Sequence, residues 1–204
     1  MTLSRKGLYS MNEVRKEYKF VYSNSQLIKF FDFYNHNIEK IFPNRVVHSL
    51  YLDTMSFKLY YQSLDNDAEK EKLRYRMYNN SNSLYFEKKI NSPLGKFKKK
   101  EKVDYKSFDE IDWLQYKGFI YTPMLQVSYE RQYYSFKNAR ITVDQKLKFK
   151  STKNRTLNVI EKKLSQNVVE FKLFDNNPDI ESLFIDSPVA FSKFCEGTKL
   201  IYNL

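Results

Sequence analysis

Residues 72–105 read KLRYRMYNNSNSLYFEKKINSPLGKFKKKEKVDY, and in three segments of this stretch charged side chains recur at every second position. The segments are KLRYRMY (72–78), SLYFEKKI (83–90) and KFKKKEKVDY (96–105). A period of two predicts β-strands, and the turn residues Asn-Ser-Pro-Leu-Gly between the last two segments predict a tight connection. We therefore predict three consecutive strands in this part of the chain.

The rest of the chain shows further strand patterns and a few helical ones. Strands are predicted from Arg15 onward and at 48–54, 123–136, 140–149 and 168–174. Helices are predicted at 23–42, through Phe57, Leu59 and Tyr60, at 107–118 and at 187–197. About eight strands with few helices, separated by turn signals, predict a barrel-like antiparallel α+β domain. We assign residues 1–204 to one domain, with its core at about 12–200.

Composition excludes several classes of protein. No apolar run approaches the roughly 18 residues of a membrane-spanning helix, and the N-terminus does not resemble a signal peptide. The single cysteine, Cys195, permits no internal disulfide or cysteine-built zinc site, which fits a reducing compartment. The 4 glycines form no phosphate-binding loop motif, and 35 Lys and Arg against 24 acids give a net charge of +11. A polyanionic partner, held by side chains, is therefore expected.

The charges fall on one parity of strand after strand. They include Arg74 with Arg76, Glu87 with Lys89, Lys98 with Lys100 and Lys102, Arg140 with Asp144, and Glu170 with Lys172. If the sheet closes, about ten cations and few carboxylates line its interior, where they repel one another unless an anion fills the space. Triphosphate or polyphosphate fits this interior. Glu17, Glu87 and Glu170 are then candidate ligands of a divalent metal that bridges phosphates.

Two other interpretations of these charges stay open. Alternating charged strands are often the solvent-exposed face of a sheet, and the lysines of the 96–102 run could protect an exposed edge. The tyrosine-rich basic strands could also form an oligonucleotide surface, although no RNP-like motif occurs. His36 and His48 lie far apart in the sequence, which argues against a histidine metal or catalytic pair.

Eight motifs in series resemble a known family. In order they are RKEYKF (15–20), SLYLDT (49–54), KLRYRMY (72–78), YFEKKI (85–90), VSYERQYY (127–134), ARITVDQKL (139–147), VVEFKL (168–173) and FSKFCEG (191–197). They are similar to the catalytic domain of the vacuolar transporter chaperone (VTC) family, polyphosphate polymerases among the CYTH-like triphosphate tunnel metalloenzymes. The resemblance implies a closed antiparallel tunnel that transfers the γ-phosphate of ATP onto polyphosphate with Mn²⁺ or Mg²⁺.

The resemblance also implies roles for individual residues. The implied phosphate ligands are Arg15, Lys19, Arg74, Arg76, Lys89, Arg131 and Lys193, with Ser192 in the same motif as Lys193. Glu170 would hold the metal, and Lys100 and Lys102 match a family Lys-x-Arg pair. Charge parity adds Lys98, Arg140 and Lys172 as phosphate ligands, and we place Arg74, Arg76, Lys89, Arg131 and Lys193 in the catalytic set.

One departure from the CYTH pattern bears on activity. The family hallmark Glu-x-Glu-x-Lys begins here with Arg15, which resembles the polymerase branch because a metal carboxylate is replaced by a phosphate-binding cation. Polyphosphate polymerase is the leading hypothesis, with a metal-dependent triphosphatase or a non-catalytic polyphosphate-binding module as alternatives. The expected partners are ATP and polyphosphate or triphosphate, without nucleic acid. We expect a cytoplasmic location, at the face of a membrane if separate membrane proteins are partners.

Overall fold

In the part of the chain that the structure describes, the fold consists of ten antiparallel strands and three helices. The computed structural model describes residues 16–65, 69–79, 81, 83–92, 95–137, 139–152, 158–173 and 178–204. The strands are β1 (Glu17–Tyr22), β2 (Glu39–Asp53), β3 (Lys70–Tyr78), β4 (Leu84–Ser92), β5 (Gly95–Val103), β6 (Leu114–Tyr116), β7 (Phe119–Phe136), β8 (Ala139–Ser151), β9 (Glu161–Lys163) and β10 (Asn167–Leu173). The helices are α1 (Asn24–Tyr34), α2 (Lys58–Leu64) and α3 (Lys193–Tyr202), with 3₁₀ turns at Phe108–Glu110 and Pro178–Leu183.

The strands form one curved sheet in the order β1-β10-β8-β7-β2-β3-β4-β5, with β6 added to β7 and β9 to β8. Within the described residues, no backbone pairing joins the edge strands β1 and β5. Side chains bridge this seam instead, because Glu17 of β1 lies 3.5 Å from Lys89 of β4 and 3.6 Å from Lys96 of β5. The predicted α+β tunnel fold is confirmed. The seam between β1 and β5 is bridged by ion pairs and not by backbone hydrogen bonds.

The hydrophobic cores lie on the outer, convex side of the sheet. The larger core packs α2 and α3 against apolar residues of β2, β3, β7 and β8, such as Leu52, Leu73, Val127 and Phe149. A second core packs α1 against β1, β8 and β10, with Phe30 and Phe171 fully buried in it. Because apolar side chains face the helices, the opposite parity of each strand turns its charges inward.

Two predicted helices differ from the observed elements at their boundaries. The pattern at 23–42 yields a helix only to Tyr34, and β2 begins at Glu39, since Asn35-His36-Asn37 makes a turn between them. A capping box starts α1: Ser23 Oγ accepts from the Gln26 amide at 3.2 Å, and Gln26 Oε1 accepts from the Ser23 amide at 3.0 Å.

The helix predicted at 107–118 is wrong. This segment forms a 3₁₀ turn at Phe108–Glu110 and then β6, which pairs with the start of β7. Lys117 and Gly118 both have positive φ, 48° and 76°, so they form a tight hairpin turn rather than a helix end. Trp113 in this segment is exposed.

The last helix begins later and ends later than predicted. Ser192 is the N-cap, with its Oγ accepting from the Cys195 amide at 3.3 Å, and α3 continues through Gly197 to Tyr202. Gly197 is required for close packing, because a Cβ there would lie 2.4 Å from Phe149 Cδ1. This placement brings Ser192 and Lys193 to the open end of the sheet's interior.

Candidate functional site

The concave side of the sheet encloses a cavity of about 540 Å³ whose wall is strongly cationic. Among the described residues, its lining carries Lys19, Arg45, Lys72, Arg74, Arg76, Lys89, Lys96, Lys98, Arg131, Arg140, Lys172 and Lys193. The carboxylates in the same described lining are Glu17 and Glu170. This excess of cations in a semi-enclosed space favours a ligand with several negative charges.

Arg74 and Arg76 project from β3 onto the cavity and are anchored by a buried carboxylate. Arg74 donates to Glu87 Oε2 through Nε at 2.9 Å and Nη2 at 2.6 Å, and to Tyr51 Oη through Nη1 at 2.9 Å. Arg76 Nη1 lies 3.7 Å from the same Glu87 oxygen. Burial alone would raise the pKa of Glu87, but Arg74, Arg76 and Lys98 lower it to about 2. Glu87 therefore stays ionised and holds both guanidinium groups in place.

A second anchored pair lies on β7 and α3. Arg131 donates to both oxygens of Asp144 at 2.6 and 2.7 Å, and Lys193 Nζ lies 2.6 Å from Asp144 Oδ2. Asp144 is completely buried, and Arg131 with Lys193 lowers its pKa against the opposing effect of burial. Asp144 shares the interior parity of Arg140 in the sequence, a pattern that by itself assigns it no role. In the structure it positions two phosphate-ligand candidates from different elements.

The two cavity carboxylates share one lysine. Lys172 Nζ lies 3.1 Å from Glu17 Oε1 and 3.3 Å from Glu170 Oε1. Burial opposes ionisation of both, but Lys89 with Lys172 lowers the pKa of Glu17 to about 2, and Lys172 with Lys19 lowers that of Glu170 further. Both groups are therefore anionic at neutral pH and available as oxygen ligands.

Sequence reasoning missed Lys72 and Tyr51. Lys72 shares the parity of Arg74 and Arg76, a signal that would have found it, and its Nζ donates to Ser192 Oγ at 2.8 Å. Burial lowers the pKa of Lys72, and burial likewise lowers that of Lys19 to about 8. Burial alone would raise the pKa of the Tyr51 phenol, but Arg74 and Arg76 lower it to about 8.

Most predicted phosphate ligands meet at the cavity. The predicted ligands that line it are Lys19, Arg74, Arg76, Lys89, Lys98, Arg131, Arg140, Lys172, Ser192 and Lys193. Lys100 and Lys102 are exposed and lie outside the lining, with Lys100 Nζ over the Tyr85 ring at 3.9 Å, so the structure does not bring these two predicted ligands to the cavity. They share the parity of Lys98 but lie farther along β5. Arg15 lies outside the described residues.

The three carboxylates predicted to bind a metal do not all line the cavity. Within the described part of the chain, no group of three acidic, histidine or cysteine side chains is placed to hold a metal ion. Glu87 is withdrawn from the cavity lining by its arginine partners. Glu17 and Glu170 remain at the cavity. Mg²⁺ in proteins is usually bound by one or two carboxylates and completes its coordination with phosphate oxygens and water. The residues present thus fit a metal that binds together with its phosphate ligand.

A second cavity of about 530 Å³ adjoins the first. The two share Glu17, Lys19, Lys72, Lys89, Lys96, Phe191 and Ser192 in their linings. At this neck Lys19 Nζ donates to the Phe191 carbonyl at 2.8 Å, and Lys72 donates to Ser192. The two cavities are therefore neighbours that share a cationic wall.

The sequence profile of the VTC domain matches two overlapping segments, residues 14–117 and 98–202, which together span nearly the whole chain. The chain belongs to the VTC domain family. Its cationic interior and antiparallel sheet are those of a triphosphate tunnel protein. No curated protein matches the sequence. None of the helices in the described part of the chain is long and apolar enough to span a membrane.

Solved structures share the fold at low sequence identity. A candidate adenylate cyclase from Bacillus halodurans is 15% identical with a TM-score of 0.56, and the match covers 90% of this chain and 98% of that one. The PH1819 protein of Pyrococcus horikoshii is 13% identical, TM-score 0.49, covering 88% and 96%. A candidate adenylyl cyclase from Hippeastrum with a dominant triphosphatase activity is 15% identical, TM-score 0.46, covering 82% of each chain. The Bacillus structure supports the fold assignment of this VTC domain.

Proposed function

We propose that this VTC domain is a polyphosphate polymerase that transfers the γ-phosphate of ATP onto a growing polyphosphate chain. The observation that carries the proposal is the pair of adjoining cationic cavities, of which the first holds the anchored arginines and both are lined by Lys19 and Lys72. A linear polyanion with one charge or more per phosphate matches a long row of cations better than a compact anion does.

The anchoring carboxylates support a role in catalysis beyond simple binding. Glu87 holds Arg74, Arg76 and Lys98, and Asp144 holds two further cations. Groups that are already oriented stabilise charge in a transition state without reorganisation at the moment of reaction. Arg74, Arg76, Arg131 and Lys193 are accordingly the side chains that we assign to the phosphoryl group being transferred.

The reaction needs positioning and charge neutralisation. A terminal oxygen of the polyphosphate chain attacks the γ-phosphorus, the bond from that phosphorus to the β–γ bridging oxygen breaks, and ADP leaves with the electron pair. Arginine forks and lysines on the wall hold the attacking and leaving groups in line and neutralise the equatorial oxygens. Glu170 and Glu17 would hold a divalent metal, which supplies further charge neutralisation between phosphates when bound.

The presence of a second cavity beside the first supports polymerisation over hydrolysis. A hydrolase of small triphosphates needs room for one triphosphate and a water, whereas a polymerase must also accommodate the product chain. The second cavity adds about 530 Å³ beyond the shared residues and contributes one further lysine from the start of β3, Lys70. We assign this second cavity to the polyphosphate chain.

A single assay separates the candidate activities. The purified chain is incubated with ATP and Mn²⁺ or Mg²⁺, and products are resolved by gel electrophoresis for chains and by a phosphate assay for hydrolysis. Long chains support the polymerase. Free phosphate without chains would identify a triphosphatase, and binding of polyphosphate without turnover would identify a binding module. Lys29→Gln, an exposed cation on α1 outside the cavity lining, is the control variant.

A further inference from the structure

Strand β2 carries an irregularity where it forms one end of the tunnel wall. Phe42 pairs with Tyr133 of β7 and Arg45 pairs with Arg131, so three steps along β2 correspond to two along β7. The register shifts on both sides of Phe42, which is the mark of a β-bulge. In a regular strand Phe42 and Arg45 would face opposite sides. The bulge brings both side chains to the cavity, and both line it.

The bulge assembles a small cluster of aromatic and guanidinium groups. The rings of Phe42 and Tyr133 meet edge to face, with centroids 5.7 Å apart and planes at 88°. Arg45 Cζ lies 5.9 Å from the Phe42 centroid and 5.6 Å from the Tyr133 centroid. Phe42 is a large apolar side chain, yet it is 46% exposed and lines the cavity.

Arg45 has no carboxylate partner in the described part of the chain. It lies beside Arg131 in the register, and Arg131 is already satisfied by Asp144. The cluster therefore offers an exposed aromatic face and an unsatisfied guanidinium next to the phosphate-binding wall. Aromatic faces and guanidinium planes are the groups on which nucleobases stack.

We propose that Phe42, Tyr133 and Arg45 form a nucleobase platform, which makes this end of the tunnel the entry side for a nucleoside triphosphate. The proposal rests on the proposed function and adds the substrate class and its orientation. Tyr133 and Arg131 lie two residues apart on one strand face, about 7 Å, which suits a base on the platform with its phosphates directed toward Arg131. The polyphosphate chain then occupies the side beyond Lys72.

The test compares two ligands that differ only in the presence of a nucleoside. Binding of ATP and of inorganic tripolyphosphate is measured by titration calorimetry on the full chain, for wild type and Phe42→Ala. Because a base that stacks on an aromatic ring contributes to the binding free energy, the Phe42→Ala variant should lose at least about fivefold in ATP affinity. Its affinity for tripolyphosphate should change less than about twofold, because that ligand has no base. Phe42→Tyr should restore ATP binding.

Phe119→Ala is the matched control. Phe119 is 45% exposed and has its own cationic neighbour, Lys58, but it lies in the β6–β7 hairpin outside the cavity lining. It should bind both ligands as wild type does. Equal losses of ATP and tripolyphosphate in Phe42→Ala, or no loss of either, would overturn the platform. Failure of wild type to bind tripolyphosphate would instead overturn the proposed function, so the two failures are distinguishable.

Discussion

At the scale of single residues, the tunnel depends on arginines whose geometry is set by buried acids. The Arg74 guanidinium uses three of its nitrogens, two toward Glu87 and one toward Tyr51. Its planar fork leaves the remaining donor directions to a ligand. A lysine ammonium would keep the charge but could not meet both partners and a phosphate with the same geometry.

We expect Arg74→Lys to lower kcat/KM for the phosphoryl transfer by at least about tenfold, about 1.4 kcal/mol of transition-state stabilisation. The melting temperature should fall as well, since buried Glu87 loses well-oriented donors. Steady-state kinetics and thermal melts measure the two effects. Lys29→Gln on α1 should leave both unchanged. Unaltered kinetics in Arg74→Lys would place this side chain outside the reacting centre.

The pH dependence of ligand binding follows from Lys19 and Tyr51, whose pKa values both lie at about 8. Below pH 8 the lysine is charged and the phenol neutral, which favours a bound polyanion. As the pH rises through 8, the tunnel loses one positive charge and gains one negative charge. We expect tripolyphosphate affinity to fall between about pH 7 and 9.

Calorimetry of wild type, Lys19→Arg and Tyr51→Phe over this range measures the dependence. Arginine stays protonated, and phenylalanine cannot ionise, so each variant should show a shallower decline than wild type. The ionisation of the ligand itself is common to all three proteins and cancels in the comparison. Identical profiles in the three proteins would contradict the assignment to these side chains.

At the scale of elements, α3 illustrates a glycine used for contact. Gly197 lies inside the helix, where glycine costs about 1 kcal/mol relative to alanine. A Cβ there would come within 2.4 Å of Phe149 Cδ1 and 2.7 Å of Leu125 Cδ2, both in the larger core. The close approach keeps the start of α3 against the sheet, which in turn places Lys193 on Asp144.

Gly197→Ala should therefore destabilise the protein despite its better helix propensity. Overpacking costs about 1–3 kcal/mol and exceeds the gain from propensity. A thermal melt should show a decrease of a few degrees, and the affinity for tripolyphosphate should weaken because Lys193 shifts with its helix. Leu200→Ala, at an exposed position of the same helix, is the control and should change little. A higher melting temperature in Gly197→Ala would contradict this expectation and would show that the core rearranges to accommodate the added methyl group.

Elements with strong local patterns could be predicted from the sequence, and those set by distant contacts could not. The strands with Arg74, Lys89 and Glu170 were predictable because charged residues recur at every second position in each of them. The segment 107–118 carries helical composition, but its pairing with β7 decides the structure. The bulge at Phe42 and the Glu17 seam depend on register and on strands far apart in the chain, which no local pattern encodes.

At the scale of the whole molecule, the placement of charge is reversed from that of an ordinary half-exposed sheet. The helices cover the apolar face, and the charged face turns toward the interior, where described cations far outnumber described acids in the lining. Glu17, Glu87, Asp144 and Glu170 offset part of the repulsion. The remainder is relieved when a polyanion enters, so binding energy and folding stability are linked.

We expect the purified protein to bind tripolyphosphate or polyphosphate far better than duplex DNA at physiological salt. The cations that matter line a passage too narrow for a duplex, since the cavity measures about 540 Å³. Tripolyphosphate at about 100 times its Kd should stabilise the fold by about 2.7 kcal/mol, a rise in Tm of about 5–10 °C for a chain of this size. Thermal melts with tripolyphosphate and with DNA of equal phosphate concentration make the comparison. Equal, steeply salt-dependent effects of both ligands would show that exposed surface lysines dominate, and the tunnel would then not be the polyanion site.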